Sequence, residues 1–358
     1  MSRHTVVGLH LDAAVVPHVL DPTDPARREE FGRSIDEAGI DFVVLGGDRP
    51  AAGHVTIDAT VAATVLARHT TSVSLVAASA PVRDHPFNLA RRLGSLDHGS
   101  HGRVGWLIGS DPLSAAVDAV WVVRKLWESW PGDSIVDDAE HGIFAESERI
   151  VYIDHAGTFS VSGPLNVPEP PQRKLPVFWR PGNEAELVAA RRTADAVILA
   201  EEDAVRRYRT HFDPDAARDQ VVLLDLDRPI PASLLGGPPD PATFSGSLGF
   251  RESVVGLARE RNLTVVQLLR ELDGGGGHRA VIGTPHQVAD TIEAWFRAEA
   301  ADGFNLMPDA LPSGLDTFVD EVVPLLRKRG LFRHDYAEKT LRERFAVPLP
   351  EHSAARSA

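Results

Sequence analysis

The sequence contains no cysteine among its 358 residues. This absence excludes thiol catalysis, thiolate metal sites and disulfide bonds. The chain also lacks an uninterrupted run of about 18 apolar residues, and its start has no hydrophobic signal segment, so we expect neither a transmembrane helix nor export. A cytoplasmic protein that does not bind a membrane is predicted.

The sequence has fewer basic than acidic residues. The chain has 37 lysine and arginine residues against 51 aspartate and glutamate residues, a formal net charge of −14. The negative charges are spread along the sequence, which opposes binding to nucleic acid. The hydrophobic fraction of 43% is sufficient for a large core. These values predict a soluble globular protein without a nucleic-acid partner.

Motifs of several enzyme classes are missing. The sequence has no H-E-x-x-H pair, no Walker phosphate loop and no G-x-S-x-G elbow. It therefore gives no support for a metallohydrolase, a phosphoryl-transfer enzyme or a triad hydrolase, and we predict no metal site.

What the sequence does contain is a regular alternation of short β-branched runs with longer segments of helical periodicity. Eight strands are predicted at residues 5–11, 41–46, 72–78, 103–108, 175–179, 196–199, 220–226 and 303–307. Eight helices are predicted at residues 25–38, 57–68, 85–96, 115–130, 183–193, near 253–261, at 284–300 and at 315–329.

This order predicts an α/β fold, a (β/α)8 TIM barrel with insertions after helix four (131–174) and strand seven (227–279). A single domain is expected over residues 1–347, followed by a disordered tail at 348–358. The alternative is an open, doubly wound sheet, which normally carries a G-x-G-x-x-G turn after its first strand. The segment LHLDAAVVP has no such turn.

In a TIM barrel the functional residues lie at the carboxyl ends of the strands. His10 follows a run of apolar residues and is the first candidate for proton transfer, because imidazole titrates near neutrality. The alternative is a hydrogen-bonded histidine inside the barrel. Asp48 could bind a ligand or cap a turn. Other candidate residues at predicted strand ends are Asp12, Gly47, Ser79, Ser110, Asp111, Arg180, Gly182, Asn183, Glu201, Glu202 and Asn305.

Four blocks of sequence carry a family resemblance: HPFNLARRLGSLDHGSHGRVGW, VRKLWESW, GTPHQVADTIEAWF and LFRHDYAEKTLRERF. In this order they resemble the bacterial-luciferase-like flavin-dependent monooxygenase superfamily. The similarity is to its branch of nitrilotriacetate, pristinamycin-synthase and dibenzothiophene-sulfone monooxygenases.

The resemblance implies a barrel whose carboxyl end binds reduced FMN, supplied by a separate flavin reductase that associates transiently. It further implies flavin hydroperoxide chemistry on a small organic substrate, and a homodimer. By position in the motifs, the resemblance places Asp48, Ser79 and Ser110 beside the flavin.

The sequence departs from the family pattern at the predicted phosphate loop, which reads RPGNEA. Asn183 and Glu184 stand where the family has two hydroxyl side chains. Gly182 and Asn183 are the predicted phosphate contacts, and Arg180 could compensate through a bidentate guanidinium contact. Leu107 also replaces a family asparagine.

Two functions remain open from the sequence. The first is a reduced-FMN-dependent monooxygenase of the two-component type. The second is a non-catalytic barrel that has lost tight FMN binding and serves as a partner subunit or a small-molecule binding protein. A deazaflavin oxidoreductase is a further alternative, and the sequence does not identify a substrate.

Overall fold

The computed structural model describes most of the chain, namely residues 4–11, 20, 24–46, 57–109, 112–200, 202–211, 220–227, 261, 264, 279–281, 283–307 and 313–349. Within these ranges no helix has both the length and the apolar character needed to cross a membrane. Most of the second predicted insertion, with its helix near 253–261, lies outside the described residues. So does the predicted tail beyond residue 349.

The described strands follow the predicted alternation. They are β1 (Val6–Leu11), β2 (Phe42–Leu45), β3 (Ser74–Ser79), β4 (Val104–Ile108), β5 (Ile135–Asp138), β6 (Ile143–Ala145), β7 (Asp154–Ala156), β8 (Ser160–Ser162), β9 (Val177–Trp179), β10 (Ala196–Leu199), β11 (Val221–Asp227), β12 (Arg279–Ala280) and β13 (Gly303–Met307).

Eight of these strands, all parallel, close into a barrel in the order β1, β2, β3, β4, β9, β10, β11, β13. The ring is complete because β13 pairs with both β1 and β11, and β11 also pairs with β10. The predicted (β/α)8 TIM barrel is confirmed, and a closed ring excludes the open doubly wound sheet.

The described helices surround the barrel. They are α1 (Pro25–Ala38), α2 (Ala59–Ala67), α3 (Pro86–Gly99), α4 (Leu113–Glu128), α5 (Glu184–Thr193), α6 (Glu202–His211), α7 (Pro285–Arg297), α8 (Ser313–Thr317), α9 (Val323–Lys328) and α10 (Leu341–Phe345). A wider, π-helical turn at Phe318–Val322 joins α8 to α9. Pro324 follows this turn and has no N–H to donate, which accounts for the irregularity.

Local sequence signals begin and end these helices. Asp24 caps α1 by accepting from Arg27 N at 3.0 Å, and Pro25 occupies the first helical position. Gly39 ends α1 with a left-handed backbone, φ +80°. Thr284 is the N-cap of α7 and forms a capping box with Gln287.

The insertion predicted after helix four is present and ordered. It holds two antiparallel hairpins, β5 with β6 and β7 with β8. His155 in the second hairpin anchors it to α4, where its Nε2 lies 2.9 Å from Asp118 Oδ1. The insertion therefore rests on the outside of the barrel and does not form a separate linker.

Side chains inside the barrel form the lower core, at the amino ends of the strands. Phe42 and Phe178 stack at 5.3 Å between ring centroids, and Phe345 of α10 lies within 5.8 Å of both rings. Glycine makes room for these rings, because a Cβ atom at Gly8 would lie 2.1 Å from Phe42 and one at Gly105 would lie 2.8 Å from Phe178.

Helix α10 closes this end of the barrel. Its Arg342 donates to Asp195 Oδ1 at 2.9 Å, and Asp195 also accepts from Arg124 of α4 at 3.0 Å. The three charged side chains are buried, so each ion pair compensates a charge that is removed from water. The carboxyl end of the barrel is therefore left as the place where a ligand can enter.

Asp97 stabilises the turn between α3 and β4. Its carboxylate accepts from Val104 N at 3.1 Å, Gln172 N at 3.2 Å and Gln172 Nε2 at 2.7 Å. Burial nevertheless raises the pKa of Asp97 to about 6, because the three hydrogen bonds only partly offset desolvation of the carboxylate. This residue lies at the end of the barrel opposite the predicted site.

Candidate active site

Four polar side chains from four strands meet at the carboxyl end of the barrel. They form the polar cluster, which consists of His10 on β1, Arg180 directly after β9, Asp225 on β11 and Asn305 on β13. Side chains alternate along a strand, so His10 points inward with Val6 and Gly8. The alternation of side chains along the strands therefore brings these four polar side chains together.

Asp225 is the centre of the polar cluster. It is fully buried, and its two carboxylate oxygens lie 3.0 and 2.9 Å from Arg180 Nη2. The Asn305 side chain donates to the same carboxylate at 2.7 Å. A buried carboxylate requires such compensation, and the pair of opposite charges leaves the cluster with no net charge.

His10 is held by both ring nitrogens. Nε2 lies 2.8 Å from the Gly46 carbonyl oxygen, and Nδ1 lies 2.9 Å from Arg180 Nη2. A carbonyl oxygen only accepts and a guanidinium only donates, so the proton is on Nε2 and Nδ1 is the acceptor. His10 is thus a neutral, oriented imidazole that is 5% exposed.

Arg180 belongs to the loop at which the sequence predicts a phosphate, but its side chain points away from that loop. Its guanidinium turns into the barrel towards Asp225 and His10, and Nη2 lies 3.8 Å from the Met307 sulfur. The side chain is 15% exposed. Arg180 therefore closes the polar cluster from above and does not extend towards Gly182 and Asn183.

Gly182 and Asn183 directly precede helix α5. The Asn183 side chain caps the helix by accepting from Glu186 N at 3.0 Å. The Glu186 carboxylate in turn accepts from Gly182 N and from Asn183 Nδ2, both at 2.8 Å. The donors predicted to meet a phosphate are thus bonded to a carboxylate of the same chain.

Ser79 ends β3 and is half-buried beside the barrel mouth. Its carbonyl oxygen accepts from Gly109 N at 3.0 Å and from Trp106 Nε1 at 3.3 Å. Its hydroxyl hydrogen-bonds with Asp84, whose pKa is raised by burial although Arg92 opposes the shift. Ser79 is therefore fixed at the carboxyl end of β3.

Two predicted flavin contacts, Asp48 and Ser110, lie outside the described residues. Three aromatic residues on the strands are core residues: Trp106 and Trp179 are fully buried among the apolar side chains beneath the helices, and Phe178 belongs to the lower core. Sequence reasoning did not identify Asp225 or Glu186. For Asp225 the available signal was an acidic residue two positions after Leu223 in the run VVLLDLD, which places both side chains on the same face of the strand.

The polar cluster fits the polar ring system of a flavin better than the loop fits a phosphate. Arg180 Nε and Asn305 Oδ1 are buried and have no hydrogen-bond partner among the described residues. One donor and one acceptor thus remain for a bound polar molecule or water. The loop at Gly182 and Asn183 does not fit a phosphate in this arrangement, because Glu186 occupies its donors. The described residues hold no group of three or more potential metal ligands.

Comparison with known proteins identifies the family. A model of the luciferase-like monooxygenases matches residues 5–225. Nitrilotriacetate monooxygenase component A of Aminobacter aminovorans is 32% identical over 367 residues, covering 81% of this chain and 79% of the relative. One of the subunits of pristinamycin IIA synthase from Streptomyces pristinaespiralis is 30% identical over 326 residues, covering 73% of this chain and 72% of the relative.

A solved structure agrees with the sequence comparisons. The EDTA monooxygenase from Chelativorans sp. BNC1 is 26% identical and superimposes with a TM-score of 0.72, covering 97% of this chain and 99% of that one. The branch predicted from the sequence is confirmed. The chain belongs to the luciferase-like monooxygenase family, a family of flavin-dependent monooxygenases, and to the branch that includes the nitrilotriacetate and pristinamycin-synthase enzymes.

Proposed function

We propose that this chain is the oxygenating component of a two-component monooxygenase that uses reduced FMN and acts on a small organic substrate. The observation that supports this most strongly is the neutral polar cluster at the carboxyl end of a luciferase-like barrel, with Asp225 and Arg180 paired at its centre. In barrel enzymes this end carries the chemistry. A separate flavin reductase would supply the reduced cofactor by transient association.

Reduced flavin, when bound, supplies the two electrons with which molecular oxygen is split between the substrate and water. The chain itself provides orientation and exclusion of water. Asp225 and Asn305 fix the Arg180 guanidinium, and Arg180 fixes the His10 ring. The lower core and α10 close the opposite end, so a ligand at the carboxyl end meets water from one side only.

His10 is our proposed proton-transfer residue. Both ring nitrogens have partners, so proton transfer requires that the substrate or a water replace either Arg180 at Nδ1 or the Gly46 carbonyl at Nε2. Replacement at Nδ1 would let a neutral His10 accept a proton. Asp48, Ser79 and Ser110 remain proposed flavin contacts, and Arg180 a proposed contact to the flavin near the cluster. Gly182 and Asn183 would contact the flavin phosphate only where it displaces the Glu186 carboxylate.

The test is an anaerobic titration of the purified protein with reduced FMN, followed by an oxygen pulse in a stopped-flow spectrometer. We expect saturable binding and a transient absorbance that differs from both reduced and oxidised flavin. A folded barrel that binds no reduced flavin would contradict the proposal. Gel filtration in the same buffer tests the proposed homodimer, and cell fractionation tests the proposed cytoplasmic location.

A second function is favoured by one observation, the Glu186 carboxylate at the predicted phosphate loop. In this case the barrel serves as a non-catalytic partner subunit or small-molecule binding protein. Absence of flavin binding, together with co-purification of an active homologous chain, would support the second function and exclude the first.

A further inference from the structure

A carboxylate side chain of the protein itself, that of Glu186, already occupies the loop between β9 and α5. The Glu186 carboxylate accepts one hydrogen bond from the Gly182 backbone N–H and one from the Asn183 side-chain amide, each at 2.8 Å. Backbone N–H groups at a helix N-terminus are the donors that phosphates use in proteins. The half-buried Glu186 side chain therefore stands where the family resemblance places the flavin phosphate.

The hydrogen bonding between Asn183 and Glu186 is reciprocal, and this strengthens the contact between them. Asn183 Oδ1 accepts from Glu186 N at 3.0 Å while Glu186 accepts from Asn183 Nδ2. Charge-assisted hydrogen bonds of this kind are stronger than neutral ones, and the helix dipole adds to them. A phosphate that takes these donors must displace the carboxylate and then remain close to its negative charge. The exposed Glu184 adds a second negative charge in the same helical turn.

No described cation of this loop compensates. Arg180 is the basic residue of the segment RPGNEA, and its guanidinium is bonded to Asp225 and His10 inside the barrel. Turning Arg180 outwards would take the guanidinium away from a fully buried carboxylate, which is unfavourable. Two independent contacts, at Glu186 and at Arg180, thus work against phosphate binding at the same loop.

We propose that Glu186 is an intramolecular competitor of the flavin phosphate, so that this chain recognises the flavin by its ring system and gains little affinity from the phosphate. The proposal rests on the proposed function, since it assumes that a reduced flavin binds at the carboxyl end of the barrel. It predicts that reduced riboflavin and reduced FMN, which differ only in the phosphate, bind with similar affinity.

The experiment is a pair of anaerobic titrations, with reduced FMN and with reduced riboflavin, on the full chain. In the wild type we expect dissociation constants within about 3-fold of each other. Glu186→Gln removes the competing charge and keeps the size of the side chain, so FMN should bind about 10-fold tighter while riboflavin binding stays the same. Glu184→Gln is the matched control, because it removes the same charge from the same turn without touching Gly182 or Asn183.

Each of the following outcomes would overturn the proposal or the proposed function on which it rests. Wild-type binding of FMN about 100-fold tighter than riboflavin would overturn the role of Glu186 and leave the proposed function intact. An unchanged FMN-to-riboflavin ratio in Glu186→Gln, or an equal gain in Glu184→Gln, would also overturn it. If neither flavin binds to any of the three proteins, the proposed function itself fails, and this inference fails with it. The wild-type ratio tests the proposal even if a variant does not fold.

Discussion

The Arg180 guanidinium lies 2.9 Å from the Asp225 carboxylate inside the carboxyl end of the barrel. The two residues are separated along the chain by α5, β10 and α6, and closure of the barrel brings them together. Because Asp225 is fully buried and Arg180 is nearly so, their attraction is screened only weakly by water.

Asp225→Asn should therefore destabilise the protein. The variant leaves the guanidinium without its buried counter-charge, and we expect the free energy of unfolding to fall by about 3 kcal/mol. Chemical denaturation measures this. Glu29→Gln is the control, since it breaks an exposed pair with Arg33 and should change the free energy by less than about 0.5 kcal/mol. Equal effects of the two substitutions would contradict the structural role of the cluster.

His10→Ala should separate catalysis from cofactor binding. We expect oxygen-dependent turnover to fall at least about 10-fold, because the oriented imidazole is lost. The dissociation constant of reduced flavin should stay within about 3-fold of the wild-type value, since a loss of one hydrogen bond to Arg180 does not remove a flavin contact.

His155→Ala is the matched control for this prediction. His155 is also paired with a carboxylate, that of Asp118, but it lies in the hairpin outside the barrel. Its replacement should leave turnover unchanged. If His10→Ala retains full turnover in the same assay, proton transfer by His10 is excluded.

Gly8→Ala tests the packing of the lower core. An added Cβ would lie 2.1 Å from the Phe42 ring, so we expect a loss of about 1–3 kcal/mol in the free energy of unfolding. Gly99→Ala is the opposite case, because no atom lies within 4 Å of an added Cβ and the site is helical, so a gain of up to about 1 kcal/mol is expected. Thermal denaturation of both variants measures the difference. Restored stability in Gly8→Ala with Phe42→Leu would confirm the cause.

Asp97 should make stability depend on pH in weak acid. Its folded pKa is about 6 against an ordinary value of 3.8, so the folded state holds a proton that the unfolded state has released between these values. Its contribution to stability is complete below about pH 4 and is lost as pH rises through 6. This corresponds to on the order of 3 kcal/mol, because each unit of pKa shift is about 1.4 kcal/mol.

The measurement is urea denaturation at intervals between pH 4 and pH 7, on the wild type and on Asp97→Asn. The amide does not titrate, so the variant should lack the Asp97 part of the pH dependence even if it is less stable throughout. A variant whose stability follows the same pH curve as the wild type would show that Asp97 is not the titrating group.

The sequence was sufficient for the barrel because most of its strands and helices carry local signals. Runs such as VVGLHL and FVVL have few polar residues, and the helices between them begin with signals such as Asp24 with Pro25 and Thr284 with Pro285. Helix α6 escaped prediction because its polar sequence EDAVRRYRTH has few apolar residues to reveal a periodicity. Helix α10 is short, and its position inside the barrel depends on contacts with Phe42 and Phe178.

The site was predictable only in part. His10, Arg180 and Asn305 could be placed at strand ends, because the ends of parallel strands are visible in the sequence. Their partners could not, since a guanidinium at the end of β9 could equally turn towards the loop at Gly182 or into the barrel. Asp225 decides between these directions, and its contact with Arg180 is a long-range one that local patterns do not contain.

The ring of strands also constrains how the protein is made. β1 finds its second neighbour only when β13 is available, and Val6 then pairs with Gly303, almost 300 residues later in the chain. Phe42 and Phe178 are covered only when Phe345 arrives. Since synthesis proceeds from the amino end, we expect a nascent chain that lacks β13 and α10 to leave the Phe42 and Phe178 rings accessible. We expect this half-built state to be the one that chaperones bind, and the final helix to end that dependence.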